Sequence, residues 1–347
     1  MGLFNDRKIN NTGKTTVPVW FMRQAGRYHN HYQNIKKDSD FMSMCKTPKL
    51  AHDITMGPIE EFHFDAAILF SDLLFPLEQL NMGLSYHSGP PTLEVKLSNL
   101  EAINRLNTIE DSKTFYQFQN TALSLLKPSL PKDTTLLGFV GAPFTLYSYA
   151  CEGAHKGNLI DSKKGLFDGR FNKFIELLIP NLLENMIVQR EGGADAICLF
   201  DTAVGELPFQ EFNEIILPVL KKLIQSFKKI HPDCKIVYYS KLTHLDYLEA
   251  IDEPKIDVLG IDWRVNLTEA LDRLGDQYYI QGNLDPSYLH LPWNELEKQL
   301  AGLWNKVTKS KIGPEKWICG LGHGVLPLTP QENVKMAVKY IHEHFNY

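Results

Sequence analysis

The stretch Ala196-Ile197-Cys198-Leu199-Phe200-Asp201-Thr202-Ala203 decides the fold. Its first five residues are apolar without alternation, and a strand that shows no polar face is one covered on both sides, as in a parallel sheet. It lies between Arg170–Glu191 and Pro208–Ile230, both of helical period. The same unit recurs outward in both directions. Short runs rich in β-branched and apolar residues lie at Pro18–Met22, Ala66–Ser71, Leu136–Val140, Lys235–Tyr239, Asp257–Ile261, Tyr278–Gln281 and Lys316–Cys319. Further helical periods lie at Thr47–Phe62, Ile109–Leu126, Thr243–Ile251, Leu267–Leu274, Trp293–Lys309 and Pro330–His344. Eight strands alternating with helices predict an α/β protein folded as a (β/α)8 TIM barrel, with an open doubly wound sheet as the runner-up. Gly83–Leu106 is rich in Ser, Pro and Gly and predicts a small hairpin inserted after the second strand.

The 347 residues suit one such barrel, so a single domain over 1–347 is expected, with the polar residues 1–15 as a flexible leader. A formal net charge of −5 offers no general field for nucleic acid, so an anionic ligand would need a local basic cluster. No apolar run is long enough to span a membrane, and the N-terminus lacks the apolar stretch of a signal peptide. A cytoplasmic protein is expected. The five cysteines are odd in number, scattered and without a Cys-x-x-Cys pair, which indicates neither a disulfide framework nor a zinc ribbon.

A barrel predicts an active-site cleft at the C-terminal ends of its strands. The first strand runs into Met22-Arg23-Gln24-Ala25-Gly26-Arg27-Tyr28. Two arginines at a strand end, with their planar forks, suit carboxylate or phosphate, although paired surface arginines are also commonly solvated. The second runs into Asp72, a carboxylate set among apolar residues, which reads equally as a helix cap or as a site residue. After the third, Gly141-Ala142-Pro143 opens a helix carrying Tyr147 and Tyr149. Asp201-Thr202, Asp262 and Asp285 end later strands, and some of these carboxylates are expected to brace loops instead of touching substrate. The last strand ends in Gly320-Leu321-Gly322-His323-Gly324, where the glycines admit a ligand and His323 can bind an anion or move a proton.

Taken together and in order, PVWFMRQAGRY, AAILFSDLL, GFVGAPFTLYSYACEG, LFDT, GIDW, QGNLDP and GLGHGVLP resemble the uroporphyrinogen decarboxylase family across residues 17–330. The resemblance implies a (β/α)8 barrel, cofactor-free removal of acetate carboxylates from uroporphyrinogen, no metal, and a homodimer. It also implies roles. Asp72 would accept the pyrrole N–H groups at the cleft centre. Arg23, Arg27 and His323 would hold substrate carboxylates, with Arg23 a candidate proton donor. Tyr149 and Thr202 would lie near the reacting acetate. The catalytic set is then Asp72, Arg23 and Tyr149.

The sequence departs from the family at the rim. Lys36 stands where a further arginine is common, keeping the charge but losing the bidentate fork, and Leu328 replaces a frequent acidic residue. A zinc-dependent methyltransferase on the same barrel is the main rival, but the fifth strand ends in Tyr238-Tyr239-Ser240-Lys241, without the thiolate and imidazole ligands zinc needs. Two weaker rivals are a tetrapyrrole carrier that has lost turnover and a phosphate-binding barrel enzyme. The first leaves the joint presence of Asp72, Arg23, Arg27, Tyr149 and His323 without a purpose, and the second leaves Asp72 and the MRQAGRY turn without one.

Overall fold

The structure, a computed structural model, describes residues 2–347 apart from 5, 6, 11, 87–89, 155 and 156. Among the described residues the strands are β1 Ala66–Ile68, β2 Leu84–Ser85, β3 Thr92–Leu93, β4 Thr135–Gly141, β5 Ala196–Asp201, β6 Lys235–Ser240, β7 Val258–Gly260, β8 Tyr279–Leu284 and β9 Trp317–Leu321. Seven of them form one parallel sheet in the order β1-β4-β5-β6-β7-β8-β9. Its strands are neighbours in space in the order in which they follow along the chain, and helices alternate with them, the arrangement of a (β/α) barrel. β5 is buried along its whole length, as its unbroken apolar run requires. The antiparallel pair β2–β3 is the expected hairpin inserted after β1.

The eighth stave differs from expectation. Pro18–Met22 does not form a regular strand; only Val19 bridges to Cys319. On the β9 side the backbone pairs normally, Cys319 N–H to the Pro18 carbonyl at 2.9 Å and Trp20 N–H to the Cys319 carbonyl at 3.2 Å. On the β1 side one backbone bond forms, Asp65 N–H to the Val19 carbonyl, and side chains supply the rest. Asp65 Oδ2 accepts Val19 N–H at 2.8 Å. Gln24 Nε2 donates to the Ala66 carbonyl at 3.0 Å while its Oε1 accepts Ile68 N–H at 3.1 Å. Pro18 has no N–H to give, so a continuous ladder is not available at the start of this stave. Buried backbone groups must nevertheless be paired, and the amide and carboxylate take the place of missing peptide partners. The ring is thus closed by a seam that is part backbone and part side chain.

Where it is described, the segment before the seam packs onto the barrel. Leu3 and Phe4 are buried in the core, and Lys8 reaches Asp65 at 2.9 Å. Among the helices, Arg170–Glu191 and Leu267–Leu274 form as expected. The expected helix Pro208–Ile230 is interrupted by a π-turn at Phe212–Ile216. Pro218 follows one residue later, and its missing N–H removes an α-type bond from the ladder at this point.

Candidate active site

The site grows out of the seam. Arg23 closes the eighth stave with a positive φ of 60°. That left-handed turn costs a non-glycine residue roughly 1 kcal/mol or more and is held here by Gln24, which is fixed into the seam. The exposed Arg23 side chain lies over the backbone of the loop after β9: a Cβ added at Gly324 would stand 2.5 Å from Arg23 Cδ. Glycine at that position is what lets the arginine pass.

Asp72 follows β1, ahead of a helix, Phe75–Gln79, whose N-cap is Leu74 and which takes no side-chain cap bond. Asp72 Oδ1 accepts Leu74 N–H at 2.7 Å, which braces the loop. Its Oδ2 accepts the Tyr86 hydroxyl at 2.5 Å. Burial raises its pKa above the ordinary carboxylate value; the Tyr86 and Leu74 hydrogen bonds and the nearby Arg23 charge oppose that shift. Tyr149 belongs to helix Pro143–Glu152. Burial raises its hydroxyl pKa, the Asp72 carboxylate raises it further, and Arg23 lowers it. Arg23, Asp72 and Tyr149 therefore share one electrostatic neighbourhood, although they come from three separate strand ends.

His323 lies in the loop after β9, next to the Gly324 over which Arg23 passes. Its Nδ1 accepts Gly324 N–H at 2.7 Å, which leaves Nε2 to carry the proton of the neutral ring. Its ring meets Tyr239 edge-on with centroids 6.1 Å apart, and the Tyr239 hydroxyl donates to the Gly322 carbonyl at 2.7 Å. Burial first, then Asp262, raises Tyr239, while Arg264 and Arg23 oppose, so this wall also faces the arginine. Thr202 is half-buried at the end of β5. Its neighbour Asp201, fully buried, is gripped by Thr145 at 2.7 Å and Tyr238 at 3.0 Å. Thr145 Oγ1 also accepts Ala203 N–H at 3.2 Å, which fastens the helix of Tyr149 to the loop of Thr202. Burial raises the Asp201 carboxyl to about 6 against these hydrogen bonds.

The remaining carboxylates at strand ends brace loops, as expected for some of them. Asp262 accepts Leu242 N–H and Arg264 N–H, both at 2.8 Å, and Asp285 caps the turn Pro286–His290 through Ser287 N–H. Arg27 and Lys36 lie farther out. Arg27 is exposed beside Tyr32, whose hydroxyl burial raises and the guanidinium lowers. Lys36 stands on the exposed last turn of helix Asn30–Lys36, and among the described residues no hydrogen bond or ion pair links it to Arg23, Asp72 or Tyr149. His29 and His31 are taken up by the fold: His29 pairs with Glu61 at 2.8 Å and His31 with the Asp53 carbonyl at 2.9 Å. Among the described residues no group of three or more His, Cys, Asp or Glu could hold a metal ion, and no helix is long and apolar enough to cross a membrane. A pocket of about 190 Å³ lies beside helix Trp293–Thr308, lined by residues that include Trp263, Asn283, Tyr288 and Lys306; it contains none of the catalytic candidates.

Sequence reasoning missed Tyr86 and Gln24 as parts of this site. Tyr86 sits beside the inserted hairpin, and no local pattern announces its partner 14 residues upstream. Gln24 is visible between the two arginines, but its target lies on another strand.

The family model described as Uroporphyrinogen decarboxylase (URO-D) matches residues 7–344. Relatives named uroporphyrinogen decarboxylase include those of Vesicomyosocius okutanii (36% identical over 94% of this chain and 93% of theirs), Koribacter versatilis (34%, 94% and 92%) and Dictyostelium discoideum (32%, 94% and 90%). Among solved structures, a methyltransferase from Methanosarcina mazei superposes with a TM-score of 0.70 over 95% of this chain and 94% of its own, at 14% identity, a likeness of fold alone. Because the family match runs nearly end to end and the relatives bearing its name align across almost their whole length, this chain belongs to the uroporphyrinogen decarboxylase family.

Proposed function

We propose that the chain decarboxylates the four acetate side chains of uroporphyrinogen III to methyl groups, giving coproporphyrinogen III and CO2 in heme biosynthesis, at a centre made of Asp72, Arg23 and Tyr149. The observation that carries the assignment of the centre is a half-buried carboxylate, Asp72, held by two fixed donors, with the Arg23 charge acting on it and its own charge acting on Tyr149.

Loss of CO2 from a pyrrole acetate needs a place for the electron pair of the breaking C–C bond. Protonation of the ring carbon makes a cationic, iminium-like ring that can receive it. Asp72 beside the pyrrole nitrogens stabilises that cation, and its preorganisation means little reorganisation is needed when charge develops. As CO2 leaves, the ring returns to neutrality with an exocyclic methylene. A proton added at that methylene carbon yields the methyl group, and loss of the proton first added to the ring restores the pyrrole. Overall, one carboxylate and one proton become one methyl group and CO2. Arg23 is the candidate donor, and Tyr149 and Thr202 border the reacting acetate. The carboxylates that do not react are held by Arg27, His323 and Lys36. The leaving carboxylate is best held loosely, since binding it equally in ground and transition states yields no rate. We further read the chain as a cytoplasmic homodimer of one barrel domain that works without metal or organic cofactor.

The test is direct. Incubation with uroporphyrinogen under anaerobic reducing conditions, followed by separation of products by carboxyl number, is expected to yield a four-carboxyl product without added cofactor. Asp72→Ala should lose about 3–4 kcal/mol of transition-state stabilisation, at least about a hundredfold in rate, while circular dichroism stays native. Normal product formation by a folded Asp72→Ala protein would overturn the proposed centre.

A further inference from the structure

We propose that Tyr86 is a positioning residue for Asp72, and that the inserted hairpin serves to hold its hydroxyl against the carboxylate. The proposal rests on Asp72 being the reaction centre.

Tyr86 is fixed at both ends. Its ring packs on Phe41 with centroids 4.6 Å apart, and Phe41 in turn meets Phe70, two residues before Asp72. Its hydroxyl donates to Asp72 Oδ2 at 2.5 Å, the length of a charge-assisted O–H···O bond. The hairpin itself is minimal. Leu84 pairs with Leu93 and Ser85 with Thr92; a hydroxyl contact of 2.8 Å joins Ser85 to Thr92, and both leucines are buried. Its base is tied by Val95 N–H to the Met82 carbonyl. A two-rung hairpin adds little to a barrel core, but it places Tyr86 immediately beyond its first strand.

The effect on Asp72 follows from counting acceptors. A carboxylate has about four lone-pair sites. Leu74 N–H takes one on Oδ1 and Tyr86 takes one on Oδ2, so the carboxylate plane is set from both ends and about two sites remain for pyrrole N–H donors. Without Tyr86, Oδ2 would be free to swing toward Arg23, whose charge it already feels. That pairing would blunt both groups.

Among the described residues, the groups that face Asp72 from the elements around it include Arg23 from the seam, Cys45 from helix Phe41–Lys46, Glu78 from helix Phe75–Gln79, Tyr86 from the hairpin and Tyr149 from helix Pro143–Glu152. Glu78 is paired to Lys46 at 2.6 Å. Burial and the adjacent Asp72 charge raise the Tyr86 hydroxyl far above its ordinary value, so it stays a donor at any working pH. It therefore favours the ionised form of Asp72, and its removal lets burial push the Asp72 pKa higher.

Tyr86→Phe keeps the ring on Phe41 and removes only the donor. Expected are a drop in kcat/KM of about ten- to hundredfold, an upward move of about one pH unit in the acid limb of kcat/KM, and a melting temperature close to the parent's. Substrate titration is common to both proteins and cancels in the comparison. Incorporating 3-fluorotyrosine in place of Tyr86 makes the hydroxyl a stronger donor and should move the acid limb the other way. If both proteins keep the parental kcat/KM and acid limb while Asp72→Ala is inactive, the role of Tyr86 is overturned and that of Asp72 stands. A fully active Asp72→Ala overturns both.

Discussion

Gln24→Leu tests whether the barrel is closed by a side chain. Gln24 is 1% exposed, and its amide pairs with one backbone carbonyl and one backbone N–H of β1. Leucine fills a similar volume but strands the Ala66 carbonyl and the Ile68 N–H, at about 1–3 kcal/mol each. Its own apolar burial returns about 1 kcal/mol, so a net loss of about 1–5 kcal/mol is expected. An unfolding entropy near 2.1 cal/mol/K per residue gives about 0.7 kcal/mol/K for 347 residues. The melting temperature should then fall by about 1.5–7 °C. Gln24→Glu should do no better, because a carboxylate can accept from Ile68 N–H but repels the Ala66 carbonyl and adds a buried charge. Calorimetric scans of the three proteins at one rate and one pH read the effect. A Gln24→Leu protein that melts within about 1 °C of the parent and keeps full turnover would refute the side-chain seam.

Gly324→Ala places a methyl group 2.5 Å from Arg23 Cδ; turnover should fall about a hundredfold through misplacement of the arginine, with the melting temperature nearly unchanged, and unaltered kcat would show that Arg23 need not lie over this loop. Asp201→Asn should change how stability depends on pH. With its folded pKa raised to about 6 from an ordinary value of 3.8, Asp201 contributes stability that is fully present below 3.8 and lost as pH rises through about 6. The parent should therefore lose about 3 kcal/mol relative to the asparagine variant between about pH 4 and pH 7, seen as a convergence or crossing of their denaturant midpoints; a pH-independent difference would refute the raised carboxyl.

The barrel was legible because seven of its staves are bonded along their backbones, and such strands leave unbroken apolar runs such as Ala196–Phe200. The eighth run, Pro18–Met22, has the same look in the sequence, yet its bonds go partly to Asp65 and Gln24. Apolar periodicity reports burial, not which atom completes a hydrogen bond, so the irregular seam could not be read. The same limit explains Asp72, where cap and site stand as rivals in the sequence: helix Phe75–Gln79 is not capped by it, and the carboxylate braces the loop before the helix instead. A carboxylate has two oxygens, and Leu74 and Tyr86 each take one. Tyr86 was hidden for a further reason: it lies just beyond β2, and its partner belongs to another element, so no local pattern links the two. The short helices Asn30–Lys36 and Phe41–Lys46 were missed because about two turns or fewer show too little period to detect.

The segment Met22–Tyr28 shows why site and fold cannot be separated in this chain. Gln24 points into the seam and replaces a length of ladder, while the adjacent Arg23, turned by its left-handed backbone, reaches over Gly324 toward the site. Tyr28 returns its hydroxyl to the Gln24 carbonyl at 2.6 Å and locks the turn from the far side. Closure of the barrel is therefore what sets the backbone angle that aims the arginine. A change at Gln24 that loosened the seam by even a fraction of an ångström would be felt first at Arg23, before the core registered it. It follows that activity in a graded series at Gln24 (Gln, Met, Leu, Ala) should fall more steeply than melting temperature. The opposite order, stability lost first with turnover per folded molecule intact, would mean that Arg23 is held by the β9 loop and not by the seam.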